Sequence, residues 1–396
     1  MISDQAAATT VEESALLEII CQEIRHSGGR IAFARFMELA LYQPEYGYYL
    51  GSRRKPGRAG DFITAPEATP YFGHTLARQI AELWERLACP DRWSIREYGA
   101  GIGGLAYDIM AALATNHVEA FSGLTYRLVE PNRFALQEAH RSMSEVGLGE
   151  RILIEDAIDT LEPITGVVLA NEVVDAMPVH RLTRRGSGWT EGYVSVAGRT
   201  GELVWVYGPV SEAASPYLEY LASTGVDFRE GDIIDASPAA AAWFERAVLG
   251  IDRGYAMIID YGYQADMLYS GHRLEGTLRA YRAHSVADTV LANPGNQDLT
   301  AHVDFTFLQL AGESAGLIYA GFITQAEFLT NLGLGNVMME LQSDPSTTIE
   351  EYLTTQAVIL RLIDPGGLGR FGVLGMAKGA PVDPALSGFR PVQAGL

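Results

Sequence analysis

The segment REYGAGIGGLAYDI, residues 96–109, decides the predicted fold. Its first residues are typical of a strand, its glycines of a tight turn, and the residues after Gly104 of a helix. Gly99, Gly101 and Gly104 stand at the G-x-G-x-x-G spacing of a dinucleotide site. A turn of this kind presents free backbone N–H groups to a ligand. Taken alone, the spacing leaves open a nicotinamide cofactor, another ligand, or a turn that binds nothing.

Strand and helix patterns continue outward from this segment. Strand patterns at 93–99, 125–130, 151–156 and 166–172 are interspersed with helical ones, and the alternation resumes near residue 239. This order predicts a largely parallel central sheet that binds ligands at the carboxyl ends of its strands. Short alternating runs separated by Gly-Ser and Gly-Arg turns predict an antiparallel β insertion at about 179–250.

The first 90 residues predict a helical preface that packs on the core. A capping box formed by Thr10 and Glu13 predicts the start of its first helix, and Gly28-Gly29 predicts the end. We therefore expect an α/β, Rossmann-like fold in which residues 1–90 form the helical N-terminal extension and residues 91–396 the main domain.

Acidic or amide side chains end four consecutive strands: Glu97, Glu130, Asp156 and Asn171-Glu172. Glu97 suits an ammonium group, and Glu130 can accept hydrogen bonds from both ribose hydroxyls. Asp156 can accept from an adenine amino group, while Ala157 offers a backbone N–H to the ring. Each acid alone is more often a solvated cap. Together they describe a nucleoside with an amino-acid tail, S-adenosylmethionine, and predict a class I methyltransferase.

In this interpretation Gly99 and Gly101 form a backbone cradle, and Asn171 stands beside the reacting centre. No pyrophosphate has to be held. Glu130 also lies further from the glycines than the ~20 residues of the dinucleotide fingerprint.

Composition excludes several classes of partner. The chain has 396 residues and a formal net charge of −20, which argues against binding nucleic acid or an anionic membrane surface. No apolar run approaches the ~18 residues that span a bilayer, so we expect no membrane insertion. Cys21 and Cys89 are the two cysteines, too few for a disulfide framework, and no metal site is predicted. The two cysteines fit a reducing compartment, and the N-terminus shows no signal or Arg-rich transit pattern, so a cytoplasmic location is expected.

Seven segments carry a family resemblance: PEYGYY (44–49), GDFITAPE (60–67), EYGAGIGGL (97–105), NEVVDAMPVH (171–180), IDYG (259–262), GTLRAYRAH (276–284) and NPGNQDLTAHVDFT (293–306). With them the chain resembles the MidA-like proteins, which include a mitochondrial protein-arginine methyltransferase that assists respiratory complex I assembly. The resemblance implies a Rossmann-like methyltransferase that uses S-adenosylmethionine, with symmetric dimethylation of arginine as in that member. Ile102 departs from the family's longer polar residue, and Gly103-Gly104 replaces a Gly-Thr pair.

Candidate catalytic groups follow the fourth strand. Glu172 and Asp175 are three residues apart and are predicted to hold a guanidinium, although either could simply cap the turn. His302 is a candidate general base, with a structural hydrogen-bond role as the alternative. Asp61 and Thr64 are predicted to close over the methionine end of the cofactor, or to start a helix.

The expected partner is a protein that carries an arginine, and the resemblance extends this to a respiratory complex I subunit. A homodimer is left open. The alternatives are a methyltransferase on another substrate, a cofactor-binding assembly factor with little turnover, and a dehydrogenase.

Overall fold

The computed structural model describes residues 2–51, 69–155, 162–198, 201–270, 275–282, 285–287 and 289–391, with side chains from residue 14 onward. Its helices are α1 Ile2–His26, α2 Phe33–Tyr42, α3 Pro70–Arg86, α4 Gly104–Asn116, α5 Val118–Ser122, α6 Arg133–Glu145, α7 Ser215–Thr224, α8 Pro238–Leu249, α9 Ala265–Leu268, α10 Phe305–Ser314, α11 Gln325–Asn331, α12 Asn336–Ser343 and α13 Ile349–Ile363.

The strands are β1 Ile31–Ala32, β2 Trp93–Tyr98, β3 Leu124–Val129, β4 Ile152–Glu155, β5 Ile164–Asn171, β6 His180–Arg185, β7 Gly188–Val196, β8 Leu203–Gly208, β9 Ile233–Ala236, β10 Ile251–Asp260, β11 Gly262–Tyr263, β12 Arg279–Arg282, β13 Ser285–Val286, β14 Asp298–Thr300, β15 Val303–Asp304, β16 Ile318–Thr324 and β17 Gly372–Lys378.

Seven strands form the central sheet, in the order β16-β17-β10-β5-β2-β3-β4. The pairs from β10 to β4 are parallel, whereas β17 runs antiparallel to both of its neighbours. The predicted mostly parallel sheet is therefore confirmed. Because their strands are parallel, the carboxyl ends of β2, β3, β5 and β10 meet at one edge of the sheet.

Both faces of this sheet are covered, which explains its apolar strands. On one face Ile95 and Val167 pack with residues of α3 and α4. On the other face Val168 and Ile258 pack with residues of α8 and α10. Each strand is thereby fixed in register, and the residues that follow it are held at the carboxyl edge.

The predicted antiparallel insertion is also confirmed. β6, β7, β8 and β9 pair antiparallel in a second sheet, and β1 from the preface joins its edge with Ile31 opposite Val194. Phe33 at the start of α2 stacks on Trp205 of β8 at a centroid distance of 4.9 Å. The preface is thus tied to the insertion by backbone and by aromatic packing. The division into domains at residues 90 and 91 stays a prediction.

Two local predictions differ from the structure. The first helix begins at Ile2, so Thr10 lies inside it and is not its N-cap. The helix ends at His26, before the predicted glycines, where Gly28 has a φ of 76°. α12 and α13 were not predicted. None of the described helices is both long and apolar enough to cross a membrane.

Candidate active site

The glycine loop lies between β2 and α4. Gly99, Gly101 and Gly103 all have positive φ, at 68°, 53° and 81°. A Cβ at Gly99 would stand 2.5 Å from Cγ2 of Val173, so this glycine is needed for close packing against the turn after β5. A Cβ at Gly101 would meet no atom of the described residues within 4 Å. Gly101 therefore borders open space where a ligand can approach the backbone.

Two predicted cofactor residues stand beside this loop. The Glu97 side chain is buried and accepts a hydrogen bond from the Tyr126 hydroxyl at 2.7 Å. Burial raises the pKa of Glu97 to about 8; the Tyr126 hydrogen bond opposes this shift, and the charge of Glu130 adds to it. Glu130 accepts from the backbone N–H of Gly101 at 3.0 Å and of Asn132 at 2.9 Å. Burial raises the pKa of Glu130, while these two hydrogen bonds lower it.

Asn171 ends β5 and adjoins the predicted catalytic turn. Its Nδ2 donates to Oε1 of Glu172 at 3.2 Å. Its Oδ1 is buried and accepts no hydrogen bond from any residue that the structure describes. A buried acceptor of this kind is costly unless a partner supplies a donor. Asn171 Oδ1 is thus placed to accept from a bound ligand.

Glu172 adopts a left-handed backbone conformation, with φ of 55°. Its N–H donates to the Ile259 carbonyl at 2.9 Å, so the pairing with β10 continues into the turn. Such a conformation costs a non-glycine residue about 1–3 kcal/mol and occurs preferentially at functional sites. Among the described residues, Glu172 is one of five non-glycine residues with this conformation, and it is the one that directly follows a strand of the central sheet beside the glycine loop.

Asp260 organises this turn and was missed as a site residue by sequence reasoning. It ends β10, is fully buried, and its Oδ2 accepts from the backbone N–H groups of Val173, Val174 and Asp175 at 3.1, 2.7 and 3.3 Å. Burial raises its pKa to about 7, against the effect of these hydrogen bonds. The sequence does contain a signal for it, because Asp260 in the segment IDYG ends an apolar strand pattern as the other predicted acids do.

Three carboxylates act on Asp175 here; we call Glu172, Asp175, Asp260 and Asp298 the acidic cluster. Burial raises the pKa of Asp175 well above its ordinary value, and the charges of Asp260, Asp298 and Glu172 raise it further. Sequence reasoning did not place Asp298, on β14, with the other three.

The preface covers one side of the acidic cluster. The Tyr49 hydroxyl donates to Asp298 Oδ1 at 2.8 Å, and the Tyr42 hydroxyl donates to the Ala176 carbonyl at 3.1 Å. The Tyr49 carbonyl accepts from Nδ2 of Asn132 at 2.7 Å, next to Glu130. Tyr49 therefore connects the acidic cluster with the glycine-loop side of the site.

The structure brings His302 near the acidic cluster. His302 and Asp175 line the same small cavity. The His302 ring packs edge-on against Tyr261 at a centroid distance of 4.3 Å, and its backbone N–H donates to Thr277 Oγ1 at 3.1 Å. Asp304 lines this cavity too, and its side chain caps α10 by accepting from the N–H groups at 306 and 307.

Four predicted cofactor residues, Asp61, Thr64, Asp156 and Ala157, lie outside the described residues. Those that are described fit S-adenosylmethionine. Gly101 leaves open space against bare backbone, Asn171 offers a buried acceptor, and Glu97 and Glu130 supply acids at two adjacent strand ends. Within the described ranges no group of three His, Cys, Asp or Glu side chains has the geometry of a metal site.

Comparison with known proteins identifies the cofactor class. A family model described as "Putative S-adenosyl-L-methionine-dependent methyltransferase" matches residues 75–323. A crystal structure of a Burkholderia thailandensis protein bound to S-adenosyl-homocysteine is 34% identical, covers 96% of both chains and superposes with a TM-score of 0.86.

Curated relatives are similar over most of their length. The mitochondrial protein arginine methyltransferase NDUFAF7 of Xenopus tropicalis is 29% identical, with 95% of this chain and 89% of that protein aligned. The human protein of the same name is 27% identical, with 81% and 74% aligned. These mitochondrial names contradict the predicted cytoplasmic location, which was therefore wrong. Cysteine content distinguishes oxidising from reducing compartments and does not specify an address.

The G-x-G-x-x-G spacing therefore does not indicate a nicotinamide cofactor in this chain, and the dehydrogenase alternative is rejected. The strand order, the glycine loop with its neighbouring acids, and the matched family model all agree. The chain belongs to the family of S-adenosylmethionine-dependent methyltransferases and uses S-adenosylmethionine as its cofactor.

Proposed function

We propose that this methyltransferase acts on an arginine side chain of a partner protein. The observation that carries the proposal is the acidic cluster, which packs against the glycine loop through Val173 and Gly99. A guanidinium is permanently charged, and carboxylates bind it with paired, charge-assisted hydrogen bonds. The curated relatives, named as protein arginine methyltransferases, support the same substrate.

On the cofactor side, the proposed ligands are Gly99, Gly101, Glu97, Glu130 and Asn171, with Asp61, Thr64, Asp156 and Ala157 completing the set. Gly101 supplies the bare backbone of the cradle, and Glu130 stands where a ribose could replace its contact with the Gly101 N–H. Glu97, neutral over much of the physiological range when alone, favours a cationic ammonium because that charge stabilises its ionised form. When bound, S-adenosylmethionine supplies an electrophilic methyl group on a sulfonium.

On the substrate side, Glu172 and Asp175 are proposed to hold the guanidinium and orient one nitrogen toward the methyl group. Fixing this alignment is the main requirement of an in-line displacement. Glu172 accepts a hydrogen bond from Asn171 Nδ2 at 3.2 Å, and its own N–H is paired with the Ile259 carbonyl, which fixes the backbone that carries the carboxylate. His302 shares a cavity with Asp175, so these two residues are the alternative candidates for the proton acceptor.

The family resemblance supports two finer proposals. The partner protein is a respiratory complex I subunit, and the arginine is dimethylated symmetrically.

The substrate proposal is tested with the full chain, methyl-tritiated S-adenosylmethionine and a cell lysate as protein acceptor. We expect labelled polypeptides whose acid hydrolysates contain methylarginine. Glu172→Gln should reduce this label at least about tenfold, since it removes half of the charge that binds the guanidinium. Glu138→Gln, which changes an exposed glutamate on α6, is the matched control and should label like the wild type. Label recovered on another side chain, or unchanged labelling by Glu172→Gln, would contradict the proposal.

A further inference from the structure

Asp260 makes an unusual set of contacts for a buried carboxylate. One oxygen accepts from three successive N–H groups, at 173, 174 and 175, and the other accepts from the N–H of Tyr261 at 2.7 Å. Three converging N–H groups fix the path of the chain directly after Glu172. Asp260 itself is fully buried and is placed by β10, so it acts on the site through the turn.

The turn held by Asp260 is interlocked with its surroundings on three sides. Val173 packs its Cγ2 against Gly99, so the turn borders the glycine loop. The Glu172 N–H is paired with the Ile259 carbonyl, and the Asp175 carbonyl accepts from the N–H of Ala301 at 2.9 Å. A shift of the turn would therefore displace both carboxylates proposed to bind the substrate and disturb the cofactor loop.

We propose that Asp260 is a positioning residue that holds the turn from Glu172 to Asp175 and makes Asp175 the proton acceptor of methyl transfer. Glu172 then serves as the clamp for the guanidinium. This inference rests on the proposed arginine substrate.

The surroundings of Asp175 explain this division of roles. Among the described residues, the titratable groups that face it are Asp260 on β10, Asp298 on β14, Glu172 on its own turn, Tyr42 and Tyr49 of the preface, and Tyr281 on β12. Four more line the cavity that Asp175 borders: His302, Tyr217, Asp235 and Asp304. Asp260 is the first of the charges that raise the pKa of Asp175, after burial. A carboxylate with a raised pKa takes up a proton more readily in the transition state.

The proton balance of the step is simple. The substrate nitrogen forms a bond to the methyl carbon, the bond between that carbon and sulfur breaks, and its electron pair stays on sulfur. The nitrogen loses one proton, which passes to the Asp175 carboxylate. The guanidinium keeps a single positive charge, and the charge that leaves the sulfonium appears as the proton on Asp175.

The first test needs no substrate. The protein labelled with ¹³C at the aspartate carboxyl carbons is titrated by NMR without cofactor, and the Asp175 signal is assigned by its loss in Asp175→Asn. We expect Asp175 to titrate well above its ordinary range and to show a second inflection near pH 7, where Asp260 ionises. A single inflection in the ordinary aspartate range would overturn the proposal. Because it uses the wild-type chain, this readout does not depend on whether an Asp260 variant folds.

The second test separates charge from packing. The labelling rate is measured as a function of pH. In Asp260→Asn, the acid limb of this pH–rate profile should move to lower pH by about one unit, and the maximum rate should fall about tenfold or more. Val173→Ala alters the packing of the same turn without a charge change, and should lower the rate without moving the limb. Asp108→Asn removes another buried aspartate, on α4, and should leave the limb in place.

The outcomes are distinguishable. An Asp260→Asn variant whose rate falls while the acid limb stays in place would make Asp260 merely structural and overturn its proposed effect on Asp175. A wild-type chain that labels no arginine would defeat the proposed function. The carboxyl titration would still report whether Asp260 acts on Asp175.

Discussion

Alanine at Gly99 and at Gly101 should have different consequences, although both glycines have positive φ. An alanine in the left-handed region costs roughly 1–2 kcal/mol at either position. At Gly99 the new Cβ would also stand 2.5 Å from Val173 Cγ2, and displacing a packed side chain adds about 1–3 kcal/mol. We expect Gly99→Ala to lower the free energy of unfolding by roughly 2–5 kcal/mol, the sum of both effects. Gly101→Ala should lower the free energy of unfolding only by the backbone penalty of roughly 1–2 kcal/mol.

Cofactor binding should show the opposite order: Gly101→Ala, which destabilises the protein less, should weaken binding more. The Cβ of Gly101→Ala would stand in the open space that we assign to S-adenosylmethionine, beside the backbone N–H of residue 101, which donates a hydrogen bond to Glu130. We expect its affinity for S-adenosylmethionine to fall at least about tenfold, or about 1.4 kcal/mol.

Urea unfolding without cofactor and titration calorimetry with S-adenosylmethionine measure the two effects. Gly186→Ala is the matched control, because Gly186 also has a φ of 53° and a Cβ there would meet no described atom within 4 Å. Gly186 lies in the hairpin between β6 and β7, so this variant should lose stability like Gly101→Ala and bind the cofactor normally. Wild-type affinity in Gly101→Ala would refute the assignment of the cradle. Equal stability of Gly99→Ala and Gly186→Ala would refute the packing argument.

Three further predictions concern buried charges. Arg96→Met should lower the free energy of unfolding by about 1.5–3 kcal/mol in urea, because the buried Glu155 carboxylate loses its hydrogen bonds from Arg96, at 2.6 and 3.0 Å, but keeps the ion pair with Arg127 at 2.7 Å. Glu97 has a pKa raised from 4.5 to about 8, so its contribution to stability is present below pH 4.5 and is lost as the pH rises to about 8; Glu97→Gln should therefore gain stability relative to wild type between these limits, measured by unfolding at pH 5 and pH 8. Asp304→Ala should lower the melting temperature and cost at least about 2 kcal/mol, because it removes the cap of α10 and leaves three tyrosine hydroxyls without their acceptor.

Most of the central sheet could be predicted because buried parallel strands are short apolar runs with abrupt ends. The strand predicted at 93–99 is one residue longer than β2, and the strand predicted at 125–130 is shifted by one residue from β3. The start of α1 could not be predicted from a capping box, since a T-x-x-E pattern also occurs inside a helix that begins earlier. β1 has only two residues and exists because β7 pairs with it, which no local pattern shows.

The site residues also fall into two groups: those that a local sequence pattern predicts, and those whose role depends on contacts between distant parts of the chain. Glu130, Asn171 and Glu172 were predicted because each ends a strand pattern that is recognisable on its own. Asp260 obeys the same rule, but its role depends on the pairing of β10 with β5, which brings it to a turn 85 residues earlier in the chain. Asp298 follows no strand of the central sheet, and only the tertiary fold shows its charge acting on Asp175.

The buried acids of this site oppose folding and favour binding for one physical reason. Burial raises the pKa of Glu97, Asp175 and Asp260, which means that the protein holds their ionised forms at a cost in stability. A bound cation offsets this cost, because it stabilises the ionised carboxylate in the same low-dielectric surroundings. S-adenosylmethionine carries a sulfonium and an ammonium, and the proposed substrate carries a guanidinium. If both ligands bind where we propose, the same buried acidity that lowers the stability of the ligand-free protein also favours these two cations.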